Sequence, residues 1–177
     1  MRVEIIKLYQ FDELNDAAKE KAREWYRTDH VWDWHDEWWD SAVAFSAIAP
    51  VNVDGMEWYN VCSEMSWTGD DALRKISGVR AWKWLQNNGW FDLAAKNVVN
   101  GFTLTGYGSD NGFFDPIEKY QRDPAGVPDL ETLFRACVYS WASAARRDME
   151  WFYSDDCVDD MLVNGEYEFT SRGVLWG

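Results

Sequence analysis

Residues 29–40 read DHVWDWHDEWWD, and the way they fold decides how the N-terminal part of the chain is built. Twelve positions hold four tryptophans, two histidines and five acids. On a helical wheel, at about 100° per residue, the mixture separates. Asp29, Asp33, Asp36 and Asp40 follow i, i+4, i+7, i+11 and make one acidic stripe, with Glu37 at its margin. Val31, Trp38, Ala42, Phe45 and Ala49 share the opposite side. Trp25, Trp32 and Trp39 recur at heptad spacing between the two faces, and Trp34 lies at the other border. The expectation is one amphipathic helix from Thr28 or Asp29 to about Ala49, ended by Pro50.

For the tryptophans of such a helix the plain reading is core and border packing, since buried aromatics dominate core energetics. The acids are less easily dismissed. Like charges at i, i+4 destabilise a helix by about 0.2 to 0.5 kcal/mol per pair. No lysine or arginine between residues 28 and 73 offsets them. The stripe Asp29, Asp33, Asp36, Glu37 and Asp40, bordered by Trp32 and Trp39, is therefore the first candidate partner-binding surface. A metal site is not expected. His30 and His35 are five apart and diverge by about 140° on a helix, unlike the i, i+4 pair of HExxH. His35 falls in the apolar arc and is expected at the core or its border.

The wider chain supports a binding role. It has 177 residues, 47% apolar with 17% aromatic, which is ample material for a packed core. Its formal net charge is -14, so direct binding to nucleic acid or to an anionic membrane is disfavoured and a basic partner is favoured. MRVEIIKLYQFDEL carries no apolar run suited to a signal peptide or a membrane span. Cys62, Cys137 and Cys157 are odd in number and without a CxxC, which reads as buried thiols in a reducing cytoplasm.

Other elements follow from local signals. Val3 to Phe11 reads as a first strand, and Asn15 caps a helix over DAAKEKAREWY. Val51 to Trp67 resembles a hairpin around Asp54-Gly55. A helix capped between Thr68 and Asp71 should continue to Asn88-Gly89. Asn97 to Gly108 is a strand candidate, and a turn after Ser109 leads to a short helix after Pro116. Asp129 caps a long helix whose Leu130, Leu133, Phe134, Cys137, Val138, Trp141, Ala144 and Ala145 share one face. Ser154 caps a short helix from Asp155 to Val163, and EYEFT, Glu166 to Thr170, closes as a strand. The fold class expected is α+β, a small antiparallel sheet packed with three or four helices.

A second acidic cluster, SDDCVDD, brings Asp155, Asp156, Asp159 and Asp160 onto one short helix. Helix capping explains most of it, because the acids fall where they complement the helix dipole. Partner binding or a divalent cation are the alternatives for these four residues, in the manner of DDxxD helices. SDNGFFD, Ser109 to Asp115, lacks calcium-loop spacing and reads as an Asx-rich turn. No GxSxG, P-loop or GxGxxG occurs, so no catalytic residue, metal or cofactor is assigned.

Several stretches resemble a family of small acidic bacteriophage and prophage proteins of unknown function, sometimes loosely labelled antitoxin-like. They are LYQFDELNDAAKEKAREWYR, WHDEWWD, LTGYGSDNGFFDPI and RRDMEWFYSDDCVDDMLVNGEYEFTSRG. The resemblance implies a phage origin and a cytoplasmic location in the infected or lysogenic host. Residues 51–103 match less clearly, so a single domain over 1–177 would carry a variable insert or subdomain there. The resulting expectation is a non-enzymatic protein that binds and inhibits a basic bacterial defence or nucleic-acid-handling protein, of anti-restriction or anti-CRISPR type, with DNA mimicry as one mode. An antitoxin against a basic toxin is one alternative, and a metal-dependent enzyme using the clustered aspartates is the other.

Overall fold

Asn15 begins the first helix as its sequence requires: the Asn15 side chain accepts the Ala18 N–H at 3.1 Å. From there the computed structural model describes residues 6–57, 62–100 and 104–176. A 3-10 turn at Phe11–Glu13 precedes α1 (Asp16–Asp29) and α2 (His35–Ile48). The hairpin of β1 (Val51–Glu57) and β2 (Cys62–Trp67) follows, then α3 (Asp71–Arg74), α4 (Gly78–Asn87) and α5 (Trp90–Asn100). A second 3-10 turn, Gly108–Asp110, leads into α6 (Asn111–Glu118), α7 (Leu130–Phe152) and α8 (Asp155–Asn164). The class is α+β, with eight α-helices rather than three or four among the described residues. None of these helices is long and apolar enough to cross a membrane.

The chain divides into two compact units. One runs to Asp33 and resumes at Asp148, and the other is Trp34–Arg147. In the first, Ala18, Ala22 and Tyr26 recur every fourth residue of α1, and this small-residue stripe lets α8 pack close with Val158 and Leu162. Phe11, Leu14 and Phe169 complete the core. Asp129 and Ser154 act as expected. Asp129 accepts the Thr132 N–H at 3.0 Å before α7, and Ser154 accepts the Cys157 N–H at 3.3 Å before α8. In the second unit Phe45 stacks on Phe113 at 4.0 Å, and Phe113 stacks on Trp141 at 5.0 Å. Leu130, Leu133, Phe134, Cys137, Val138, Trp141 and Ala145 are buried along α7, as its face predicts.

Several expectations are corrected. The helix expected from Thr28 to Ala49 is two helices, interrupted at residues 30–34. The strands expected at 3–11 and 166–170 contribute only single-residue bridges, Tyr9 to Phe169 and Phe169 to Leu175, because the chain turns into a 3-10 helix at Phe11; residues 1–5 lie outside the described residues. Asp54-Gly55 is no turn but a bulge within β1, and residues 58–61, between the two strands, lie outside the described residues. The helix expected from about Thr68 to Asn88 is split into α3 and α4 at Gly78, whose φ of +56° suits glycine.

The strand expected at 97–108 is helical through Asn100 and bent from residue 104, with 101–103 outside the described residues. There the burial of Trp90, Phe91 and Ala94 draws the β-branched pair Val98-Val99 into a helix. Helix α6 begins at Asn111, ahead of Pro116, not after it. Burial of Phe113, Phe114 and Ile117 offsets the backbone hydrogen bond that Pro116 lacks.

Candidate functional site

The acidic stripe does not lie on one helix. Asp29 is the last residue of α1, and His30 leaves the helix while its N–H still donates to Tyr26 O at 2.9 Å. The His30 ring stacks on Tyr26 at 4.0 Å, with the edges of Trp25 and Tyr167 against it. Trp32 is buried, and its backbone N–H donates to the Tyr153 hydroxyl at 3.0 Å. These aromatic contacts stop the helix where unrelieved like charges would have burdened its next turns. Asp29 and Asp33, both exposed, therefore belong to the first unit, and Asp36, Glu37 and Asp40 to the second. Trp32 is core and Trp39 half-buried, and the heptad-spaced tryptophans do not share one helix. His35 is exposed beside Asp36, with Nδ1 3.4 Å from the carboxylate, and not in the core.

Helix α2 presents what remains. Asp36 and Glu37 occupy its first turn, where negative charge complements the helix dipole. Asp36, Asp40, Val43 and Ala47 are exposed within an arc of about 60° on the helical wheel, with Glu37 and Ile48 at one side of it. Among the described residues no lysine or arginine forms an ion pair with Asp36, Glu37 or Asp40. The opposite face is fixed by burial of Trp38, Ala42 and Phe45 and by a polar clasp. Ser41 Oγ donates to Asp110 Oδ1 at 2.7 Å and lies 2.6 Å from Ser109 Oγ. Asp110, fully buried, also accepts the Thr105 hydroxyl at 2.9 Å and the N–H groups of Leu104 and Thr105 at 2.8 and 2.9 Å. Both carboxylate oxygens that burial strips of water are thus given donors, and α2 is locked onto the 104–110 segment. The Asx-rich turn expected at Ser109–Asp115 is instead the end of a 3-10 turn and the start of α6, and the link to Ser41, 69 positions away, has no sequence signal.

The second cluster is arranged differently. Arg23 clamps Asp159 with two parallel bonds, Nε to Oδ1 at 2.7 Å and Nη2 to Oδ2 at 2.8 Å. That carboxylate pair holds the guanidinium more firmly protonated than usual. Arg27 bonds Asp155 and also donates from Nε to Tyr153 O at 3.0 Å. Two of the four acids therefore join α8 to α1, while Asp156 and Asp160 are exposed to solvent. Among the described residues no group of three or more His, Cys, Asp or Glu side chains is gathered to hold a metal ion.

Two thiols are accounted for by burial, which pushes both Cys137 and Cys157 above the usual thiol range and leaves them protonated. Among the described residues the second unit also carries open clefts. One of about 380 Å³ is lined by Ile48, Pro50, Trp84, Trp90 and Leu93, and one of about 460 Å³ by Pro116, Lys119, Tyr120, Pro128 and Leu133.

No protein-family model, curated protein or solved structure matches this chain.

Proposed function

We propose that the protein is a non-enzymatic, phage-encoded inhibitor that lays the outer face of α2 on a basic surface of a bacterial defence or nucleic-acid-handling protein. One observation carries the reading: Asp36, Glu37 and Asp40 are exposed without a lysine or arginine partner among the described residues, whereas Asp155 and Asp159 are matched to arginines. Unmatched carboxylates on a rigid helix steer a basic partner and fix its register. Side chains three or four apart on a helix sit about 5 to 6 Å from each other. One DNA strand spaces its phosphates at roughly 7 Å, so the face follows a phosphate array only approximately. Val43 and Ile48, both exposed on α2, add apolar contact area beside the charges.

The test is to capture the partner from infected host lysate and titrate it against the protein and an Asp36→Lys, Glu37→Lys, Asp40→Lys variant. Affinity should fall steeply with salt and be lost in the variant, while Asp156→Lys with Asp160→Lys binds nearly as well as the parent. Affinity that ignores both salt and the α2 reversal would overturn the proposal.

A further inference from the structure

We infer that the outer edge of β2 is a strand-addition site for an extended, basic segment of a partner protein. Its basis is backbone geometry, independent of the charges on α2. In an antiparallel pair, opposed residues alternate between exchanging hydrogen bonds and turning their N–H and C=O groups outward. The register pairs Val51 with Trp67, Asn52 with Ser66 and Val53 with Met65. Just beyond the strands Thr68 N donates to Pro50 O at 2.9 Å, which makes 50 and 68, and by alternation 52 and 66, the bonded pairs. Val53 N confirms the phase by turning away from β2 to donate to Ser46 Oγ at 3.0 Å. Met65 and Trp67 therefore aim their N–H and C=O groups away from β1, about 7 Å apart along the strand.

The two edges of the hairpin are treated differently. That of β1 is covered by α2, whose Ser46 hydroxyl satisfies Val53. That of β2 has no hydrogen-bond partner for Met65 or Trp67 backbone groups among the described residues. Proteins usually blunt such an edge with lysine, proline or a bulge on the edge strand itself. CSEMSW contains neither lysine nor proline, and the bulge lies on β1, between Val53 and Gly55. Among the described residues the ladder is thus open to one more strand, the mode in which backbone bonds supply affinity and alternate side chains supply specificity.

Charge selects the occupant. Glu64 on β2 and Asp54 on β1 are exposed, and the net charge of -14 opposes a second copy of the chain. Lysine or arginine on the incoming strand answers both. A strand of about six residues fits the length of β2.

The probe is a synthetic eight-residue peptide alternating valine and lysine, with a charge-matched control N-methylated at its four central nitrogens. Amide hydrogen exchange is read by NMR. At free peptide near ten times its Kd, exchange of the Met65 and Trp67 amides should slow about tenfold. Ser66, already bonded to β1, should change little, and the N-methylated control should protect neither edge amide. Protection should persist in the Asp36→Lys, Glu37→Lys, Asp40→Lys variant, so that failure of the α2 reading leaves this one standing. Equal binding of both peptides, no protection at Met65 and Trp67, or protection that grows with protein concentration without peptide would each overturn it.

Discussion

Asp110 joins α2 to the 104–110 segment of the second unit. Its two oxygens accept four donors, and all four lose their partner together if the carboxylate is removed. Asp110→Asn keeps the shape but sets an NH₂ against two of those donors, so it should lower stability by about 2 kcal/mol; Asp110→Ala should cost more, because every donor is then orphaned. Urea titration of both variants tests the order. Gly173 matters in the first unit for a steric reason. Its φ is +75°, and an added Cβ would run into Ala18 O on α1. Gly173→Ala combines left-handed strain with this clash and should destabilise by at least about 2 kcal/mol, read from the same urea midpoint. Gly→Ala at Gly55, where a Cβ would meet nothing within 4 Å, is the matching control.

Among the elements, α3 is the shortest helix and is tied to α7 by charge. Arg74 donates to both oxygens of Glu131 at 2.9 and 2.6 Å, and Lys75 adds a third bond at 2.7 Å. Those two cations pull the Glu131 carboxyl down to about 2. A carboxyl lowered from about 4.3 stabilises the fold above its unfolded value and loses that contribution as pH falls through the folded one. The stability difference between the parent and Glu131→Gln should thus be full above about pH 5, shrink from there to about pH 2 and vanish below it. An undiminished difference at low pH would mean packing, not charge.

Such ties show where sequence reading stops. Helices α1, α7 and α8 are legible because caps and apolar period lie within one segment: Asn15, Asp129 and Ser154 open them where expected. The break at residues 30–34 is not, since the acidic period runs through it unbroken and the cause is distant: Trp32 is held by Tyr153, 121 positions away. The hairpin is legible in its strands but not in its turn signal, because Asp54-Gly55 serves equally well as a bulge. Of the candidate site, the charge on α2 could be read directly. That Asp155 and Asp159 face Arg27 and Arg23 could not, because ion pairing follows from packing between helices remote in sequence.

For the chain as a whole, 31 acids against 17 lysines and arginines set how stability and binding answer to salt. Screening weakens the ion pairs of Arg23, Arg27 and Arg74, but exposed pairs contribute little each and basic residues are too few to match the acids. Repulsion among the unmatched acids is the larger effect, and it opposes the compact state. Raising sodium chloride from about 0.01 to about 0.1 M shortens the Debye length from about 30 to about 10 Å, which reaches most such pairs. If that relieves about 1 kcal/mol, Tm should rise by about 2 to 4 °C for a chain of this size, and differential scanning calorimetry at the two salts measures it. The association proposed for α2 should change in the opposite direction, weakening over the same interval. The opposed signs matter to interpretation: a partner that dissociates at the higher salt leaves a better folded protein, so its loss reports screened charge and not unfolding. A Tm that falls with salt would show the ion pairs to dominate, and would remove the unmatched acids as the source of both effects.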